Sequence, residues 1–264
     1  MITSAEVKRL FMTIFATIAW SLAAAAEEER IWDQERARDM VATVLKVEAS
    51  GKRPWNSIPW RADPGKAAAE AKKSGKPLFV YFYVAHGGPP PEPCCPGGRM
   101  MRAVALADTK VQWIVKRNFI PVKLPIDPAE GFTSAWPALR GWATAYKFAN
   151  GKGFTGCSVI SPDLEFEYGH TGSAFIWEMF DSTAYSPRKF AAMLERSASR
   201  AEEERALRYQ RGITPAERKL EVARLRKGLE QAVRREGQFH LPPRGFSLDQ
   251  ALELFRIVGA VDGE

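Results

Sequence analysis

Apolar residues recur along this chain in two rhythms, and the switches between them mark out its elements. From Ile31 to Val47 the apolar positions Ile31, Met40, Val41, Val44 and Leu45 are separated by charges, which predicts an amphipathic helix. Ser50 to Pro59, punctuated by Gly51, Pro54 and Pro59, reads as a linker, with Trp55 and Trp60 as apolar anchors for a core. Asp63-Pro64 opens the next helix, with Asp63 as its N-cap and Pro64 at the first helical position, and Gly75 stops it. Leu78 to Val84 is then a continuous apolar, β-prone run, the pattern of a strand buried on both faces.

The loop His86 to Gly98 holds five prolines and four glycines. Beyond it, Met101, Val104, Ala105, Val111 and Ile114 predict one helix over Arg99 to Arg117, and Phe119 to Leu124 predicts a second strand, parallel to the first if the crossover has the usual hand. Helical spacing returns at Trp136, Leu139, Trp142, Ala143 and Tyr146. Two strands follow, Cys157 to Ile160 and Glu165 to Tyr168, joined by the turn residues Ser161-Pro162-Asp163. The fold class this order predicts is α/β. It places the Pro-rich loop between the carboxyl end of a strand and the start of a helix, where open α/β sheets put their sites.

Helices close the chain. Ser186-Pro187 caps one running towards Arg211, and Thr214-Pro215-Ala216-Glu217 is a capping box for a second. Val222, Leu225, Leu229 and Val233 give that second helix a narrow apolar seam, and Ser247-Leu248-Asp249-Gln250 opens a short last one. The resulting division is a signal peptide at 1–26, a helical lead and linker at 27–57, an α/β domain at 58–185 and a helical extension at 186–264.

The signal peptide rests on Lys8 and Arg9, the uncharged run Leu10 to Ala26 and the small residues Ala24-Ala25-Ala26 ahead of Glu27. The 17-residue run sits at the short edge of a bilayer span, so the expectation is export to periplasm or medium with cleavage near Ala26. Of the formal charge of +7, +6 stays with the mature part, and Arg188 to Glu236 alone carries fourteen Lys/Arg against eight Asp/Glu. Export argues against nucleic acid as the partner of this basic stretch. Its interleaved glutamates suit a solvated, ion-paired face; a partner protein or a membrane surface are the other readings.

Export would also put three cysteines, Cys94, Cys95 and Cys157, in an oxidising compartment, and an odd count leaves one thiol free or paired outside the chain. A Cys94–Cys95 bond would be strained, because adjacent α-carbons lie about 3.8 Å apart and disulfides span roughly 4.4 to 6.8 Å. Other constellations are thin. Ser158, Asp163 and His170 lie close in sequence without a Gly-x-Ser-x-Gly elbow, and Gly151-Lys152-Gly153 is too short for a phosphate loop.

Ala67-Ala68-Ala69-Glu70-Ala71-Lys72-Lys73-Ser74-Gly75-Lys76-Pro77 before the first core strand, and Asn118-Phe119-Ile120-Pro121-Val122-Lys123 at the second, resemble exported members of the thioredoxin-like superfamily over roughly Ile58 to Phe180. The resemblance implies a three-layer thioredoxin-like sandwich and a Cys-x-x-Cys motif at the helix after the first core strand. Here the corner is degenerate: Cys94 or Cys95 stands for the first cysteine, while Gly97 or Gly98 occupies the place of the second. The family's cis-proline loop corresponds to Phe154-Thr155-Gly156-Cys157, without a proline, so the resemblance implies that Cys157 faces the Cys94/Cys95 corner.

Thiol–disulfide exchange with protein thiols or disulfides is the activity this implies, with Cys94 or Cys95 as nucleophile and Cys157 as resolving partner. A non-catalytic thioredoxin-fold binding or scaffold module, meeting a partner through the C-terminal helices, is the alternative. A third reading, a copper-binding chaperone, would draw on Cys94, Cys95, His86 and His170, although adjacent cysteines point poorly at one ion. No resident cofactor or metal is expected.

Overall fold

The computed structural model describes residues 31–86, 92–93, 96–126, 155–173, 185–236 and 243–259. The expected signal segment, the helical spacing at 136–146 and both Cys94 and Cys95 lie outside them. The chain divides into two compact units. In the smaller, Met1–Trp32 with Pro242–Phe246, the backbone N–H of Trp32 donates to the carbonyl of Arg244 at 2.9 Å, and the Trp32 ring meets Phe246 edge-on at 5.0 Å. The rest of the description concerns the larger unit.

Its centre is strand β1, Leu78–His86, whose residues Leu78 to Tyr83 are all at most 2% exposed. A strand so buried must satisfy both of its edges and both of its faces. A two-residue β2, Glu92–Pro93, pairs antiparallel with its end at Ala85 and His86. Along one edge β3, Ile120–Ile126, runs parallel in the register Leu78↔Ile120 to Val84↔Ile126. Along the other, β4, Thr155–Ile160, runs antiparallel in the register Leu78↔Ile160 to Tyr83↔Thr155. β5, Glu167–Ser173, pairs antiparallel with β4, giving a four-stranded mixed sheet in the order β3-β1-β4-β5.

The helices follow their local signals closely. Helix α1, Gln34–Ala49, is capped by Asp33, whose carboxylate accepts from the Arg36 N–H at 2.9 Å, and it buries Ala37, Met40, Val41 and Val44. Helix α2, Pro64–Ser74, has Asp63 as N-cap and ends at Gly75 with φ +71°, the left-handed conformation for which glycine is suited. The expected linker between them is tied down by a 3₁₀ turn, Pro54–Ser57, that buries Trp55, and Trp60 packs on Phe79 and Tyr81 with ring centroids 5.9 Å away. Both tryptophans are therefore core anchors.

The single helix expected from Arg99 to Arg117 is instead two. Helix α3, Pro96–Met100, passes into one π-helical turn, Met101–Ala105, where the Leu106 N–H reaches back to the Met101 carbonyl at 2.9 Å. The chain then breaks, and α4, Thr109–Asn118, starts afresh with Asp108 accepting from the Val111 N–H at 3.0 Å. The apolar spacing runs on through the break, and the capping preference of Asp108 overrides it. Buried Gln112 of α4 spans the joint: its amide donates to the carbonyls of Pro54 and Leu106, both at 3.0 Å, and its oxygen accepts from Ser57.

Helix α5, Pro187–Arg208, starts at the expected Ser186 cap and packs on α4 and β5. Helix α6, Pro215–Glu236, opens on the capping box, with Glu217 accepting from the Thr214 N–H at 2.7 Å and Thr214 Oγ1 from the Glu217 N–H at 3.2 Å. In its seam Val222 and Val233 are buried, and Leu225 and Leu229 are half-buried. Helix α7, Leu248–Gly259, lays Ala251, Leu254 and Val258 into the core and packs on α1.

Alternation along β1 aims Phe79, Tyr81 and Tyr83 at one layer. Phe79 meets Phe190 of α5 edge-on at 6.2 Å, and the Tyr81 hydroxyl donates to the Gly98 carbonyl of α3 at 3.2 Å. There is no room for a side chain at Gly156 of β4, where an added Cβ would stand 2.8 Å from the Thr171 carbonyl oxygen and 2.9 Å from the Phe82 ring. Because one of those neighbours is backbone, relief requires the β4–β5 ladder to move. Gly156→Ala is expected to cost about 2 kcal/mol, read as a lower urea midpoint without a change in slope.

Candidate functional site

Of the three sulfurs the sequence singles out, Cys157 lies within the described residues. It sits in mid-β4 opposite Tyr81 of β1 and Thr171 of β5, fully buried, as a free thiol. Its Sγ lies 3.5 Å from Met101 Sδ, so it packs under the π-helical turn that continues α3. Burial pushes its pKa well above the ordinary thiol value, and among the described residues no cation offsets that cost. The native state thus holds this sulfur protonated and shielded.

The helix next to the Cys94-Cys95 pair is anchored by charge. Arg99 in α3 is 1% exposed, an unusual place for a guanidinium, and it forms a bidentate pair with Glu48 of α1 through Nε and Nη2. Arg102 brings a second guanidinium to the same carboxylate at 2.7 Å and lies over the Trp55 ring at 5.1 Å. Burial alone would raise the Glu48 pKa. Hydrogen bonds and charge from Arg99 and Arg102 outweigh it and hold the carboxyl below its ordinary value of 4.5. The three residues join Leu45, Trp55 and Arg53 around an open cavity of about 450 Å³.

A second carboxylate, this one fully buried, ties the hairpin to the C-terminal helices. Glu204 of α5 is 1% exposed and accepts from Arg208 Nε at 2.8 Å and from Arg226 of α6 through Nε and Nη2, both at 2.8 Å. Asp163, at the β4–β5 turn, accepts from the same two arginines, at 2.6 Å from Arg208 and at 2.8 and 2.9 Å from Arg226. Burial would raise the Asp163 pKa too, yet Ser161 and Arg226 hold it below 3.8. Burial and the charge of Glu204 push the Tyr168 phenol upward.

The trio of Ser158, Asp163 and His170 does not assemble. Asp163 is spent on the arginines, and the group between Ser158 and His170 is Glu167, which the sequence reading passed over: one oxygen accepts from Ser158 Oγ at 2.5 Å and the other meets His170 Nδ1 at 2.8 Å. A hydrolytic relay needs the imidazole between hydroxyl and carboxylate. With the carboxylate in the middle, the cluster braces β4 against β5 across the facing pair Ser158↔His170. Of the residues considered for copper, His170 is engaged in this brace, His86 ends β1, and no cluster suited to a metal occurs among the described residues.

Only one of these ion pairs left a local trace in the sequence, the i,i+4 spacing of Glu204 and Arg208. Glu48 lies 51 residues from Arg99, and Asp163 lies 63 from Arg226. No short-range pattern announces such pairs.

Two measurements follow. Glu204→Ala leaves the guanidiniums of Arg208 and Arg226 without their buried partner and should cost about 3 kcal/mol, with loss of α5–α6 protection in amide exchange. The second is an acid limb. Glu48 and Asp163 have folded pKa values below their ordinary 4.5 and 3.8, so the unfolded chain binds protons first. Their contribution is complete above those ordinary values and fades as pH falls through the depressed ones. Urea midpoints should therefore fall below about pH 4.5, and Glu48→Gln with Asp163→Asn should flatten that fall.

Set beside protein-family models, curated proteins and solved structures, the chain matches none of them.

Proposed function

We propose that the chain is an exported thioredoxin-like protein whose Cys94/Cys95 corner exchanges disulfides with protein thiols. The observation that carries this reading is the order β3-β1-β4-β5, with β1 and β3 parallel, β4 and β5 antiparallel, and Cys94-Cys95 immediately ahead of the first helix after β1. This order supports a thioredoxin-like arrangement, and in the sequence the two cysteines stand just before the helix at whose start that family carries its redox pair. In the reaction, the thiolate of Cys94 or Cys95 attacks a substrate disulfide, forms a mixed disulfide and expels one substrate thiolate. A second thiol of this chain then attacks the mixed disulfide, releasing the other substrate thiolate and leaving a disulfide within the chain.

Cys157 is the resolving thiol in this reading, and its burial sets a condition. The thiolate forms only when Met101 and the π-helical turn move off β4, so resolution by Cys157 is slow and coupled to local opening. The same burial favours a second reading, a non-catalytic binding module in which Cys157 is a packing residue and the basic helices α5 and α6 meet a partner.

Thiol trapping with peptide mass mapping, across glutathione buffers, separates them. Exchange predicts a disulfide involving Cys94 or Cys95 that opens in the range of known exchange proteins, roughly −270 to −120 mV, and a Cys157→Ser variant in which the oxidation state of the pair changes. Sulfurs that stay inert across that range, with the pair indifferent to Cys157→Ser, overturn the exchange reading in favour of the binding module.

A further inference from the structure

The start of α6 carries charge that the fold does not consume. Arg208 and Arg226 are matched by Asp163 and Glu204. Arg218 and Lys219, by contrast, form no ion pair among the described residues. Arg218 donates through Nη2 to the backbone carbonyl of Gln210 at 2.9 Å, and its Nε is shielded from solvent with no acceptor. The nearest acids on α6 are occupied elsewhere: Glu217 accepts from the N–H and hydroxyl of Thr214, and Glu221 pairs with Arg224 at 2.6 Å.

Both cations line a cavity of about 620 Å³ between the end of α5, the start of α6 and the β4–β5 turn. Its remaining lining is the matched set Asp163, Arg208 and Arg226, whose charges largely cancel, with Pro215, Val222 and Ala223 of α6 and Tyr209, a residue left 72% exposed, as the apolar part. The volume falls within the range of small-molecule sites, and a basic pair beside an aromatic and aliphatic wall calls for a ligand with an anionic head and an apolar body. Two unmatched cations set the head's charge. A phosphomonoester, with about −1.5 to −2 at neutral pH and three acceptor oxygens, answers both the charge and the donor count.

We propose that this cavity binds a phosphomonoester carried on an apolar body, either a soluble compound or a lipid headgroup. Arg218 and Lys219 hold the phosphate, and Tyr209, Val222 and Ala223 receive the apolar part. The site is independent of the cysteine chemistry, and its test reads none of that chemistry.

The test is calorimetric titration of the full chain with phenyl phosphate, using phenol and inorganic phosphate as partial ligands. Phenyl phosphate should bind roughly tenfold tighter than either, and the double variant Arg218→Gln/Lys219→Gln should lose roughly tenfold or more. Lys219 is exposed, so Lys219→Gln alone, with an unchanged thermal melt, provides a variant free of any folding defect and should lose part of the affinity. Flotation with phosphatidylcholine vesicles, with and without phosphatidic acid, distinguishes the sources. Phosphatidic-acid-dependent flotation that phenyl phosphate displaces assigns a lipid headgroup, and tight phenyl phosphate binding without flotation assigns a soluble ligand. Equal affinity for phenol and phenyl phosphate, no binding of either, or wild-type affinity in the double variant overturns the site.

Discussion

Everything in the larger unit is arranged around the demand that β1 makes. Six consecutive residues, Leu78 to Tyr83, are withdrawn from water, including four rings that contribute roughly 2 kcal/mol or more each by burial. Their backbone N–H and C=O groups cannot be left unpaired, which fixes β3 on one edge and β4 on the other. The rings cannot be left uncovered, which brings Trp60 onto Phe79 and Tyr81 and sets Phe190 of α5 against Phe79. The mixed strand directions follow from connectivity: β3 is reached through the helical crossover of α3 and α4 and so runs parallel, while β4 and β5 are joined by a tight turn and run antiparallel.

Two carboxylates, Glu204 buried and Glu48 half-buried, lock elements that the sheet alone does not hold. Glu48 fixes α1 to α3 through Arg99 and Arg102, and Glu204 fixes α5 to α6 through Arg208 and Arg226. Each carboxylate receives two guanidiniums. This arrangement contributes specificity more surely than net stability, because desolvation of the ions offsets much of their attraction. Removing Glu204 leaves Arg208 and Arg226 with the exposed Asp163 alone, and removing Glu48 takes from Arg99 and Arg102 the carboxylate they share, whereas removing either arginine leaves the other in place. The design is therefore lopsided, with Glu48 and Glu204 as its sensitive points.

What could be read from the sequence was what short-range physics determines. Asp63, Pro64 and Gly75 bound α2 because capping, fixed φ and left-handed φ are properties of single residues, and the Thr214–Glu217 box marks α6 for the same reason. The buried run of β1 and its parallel partner were equally plain. The break at Leu106 to Asp108 was hidden because apolar spacing continues on both sides of it. β5 begins at Glu167 rather than Glu165, since the turn needs extra residues to bring Leu164 through φ +64° and to let Phe166 hydrogen-bond to Ser161. Of the candidate site, the sequence named Cys157, Ser158 and His170 but missed Glu167, Glu48 and Glu204. A carboxylate's partner is set by tertiary distance, and each of these glutamates looks in sequence like an ordinary surface acid.

The anchoring of α3 bears on what any chemistry at its start could be. Gly98 is held by the Tyr81 hydroxyl, Arg99 by Glu48, and Met101 by packing on Cys157, so three consecutive contacts fasten the residues that follow Cys94-Cys95 to the sheet and to α1. The same fastening resists the displacement of Met101 that would expose Cys157. Fastening of α3 and access to the buried thiol thus pull against each other. The π-helical turn Met101–Ala105 is the piece of backbone where they meet, since it carries Met101 over Cys157 and departs from the tighter α-helical hydrogen-bond ring of α3.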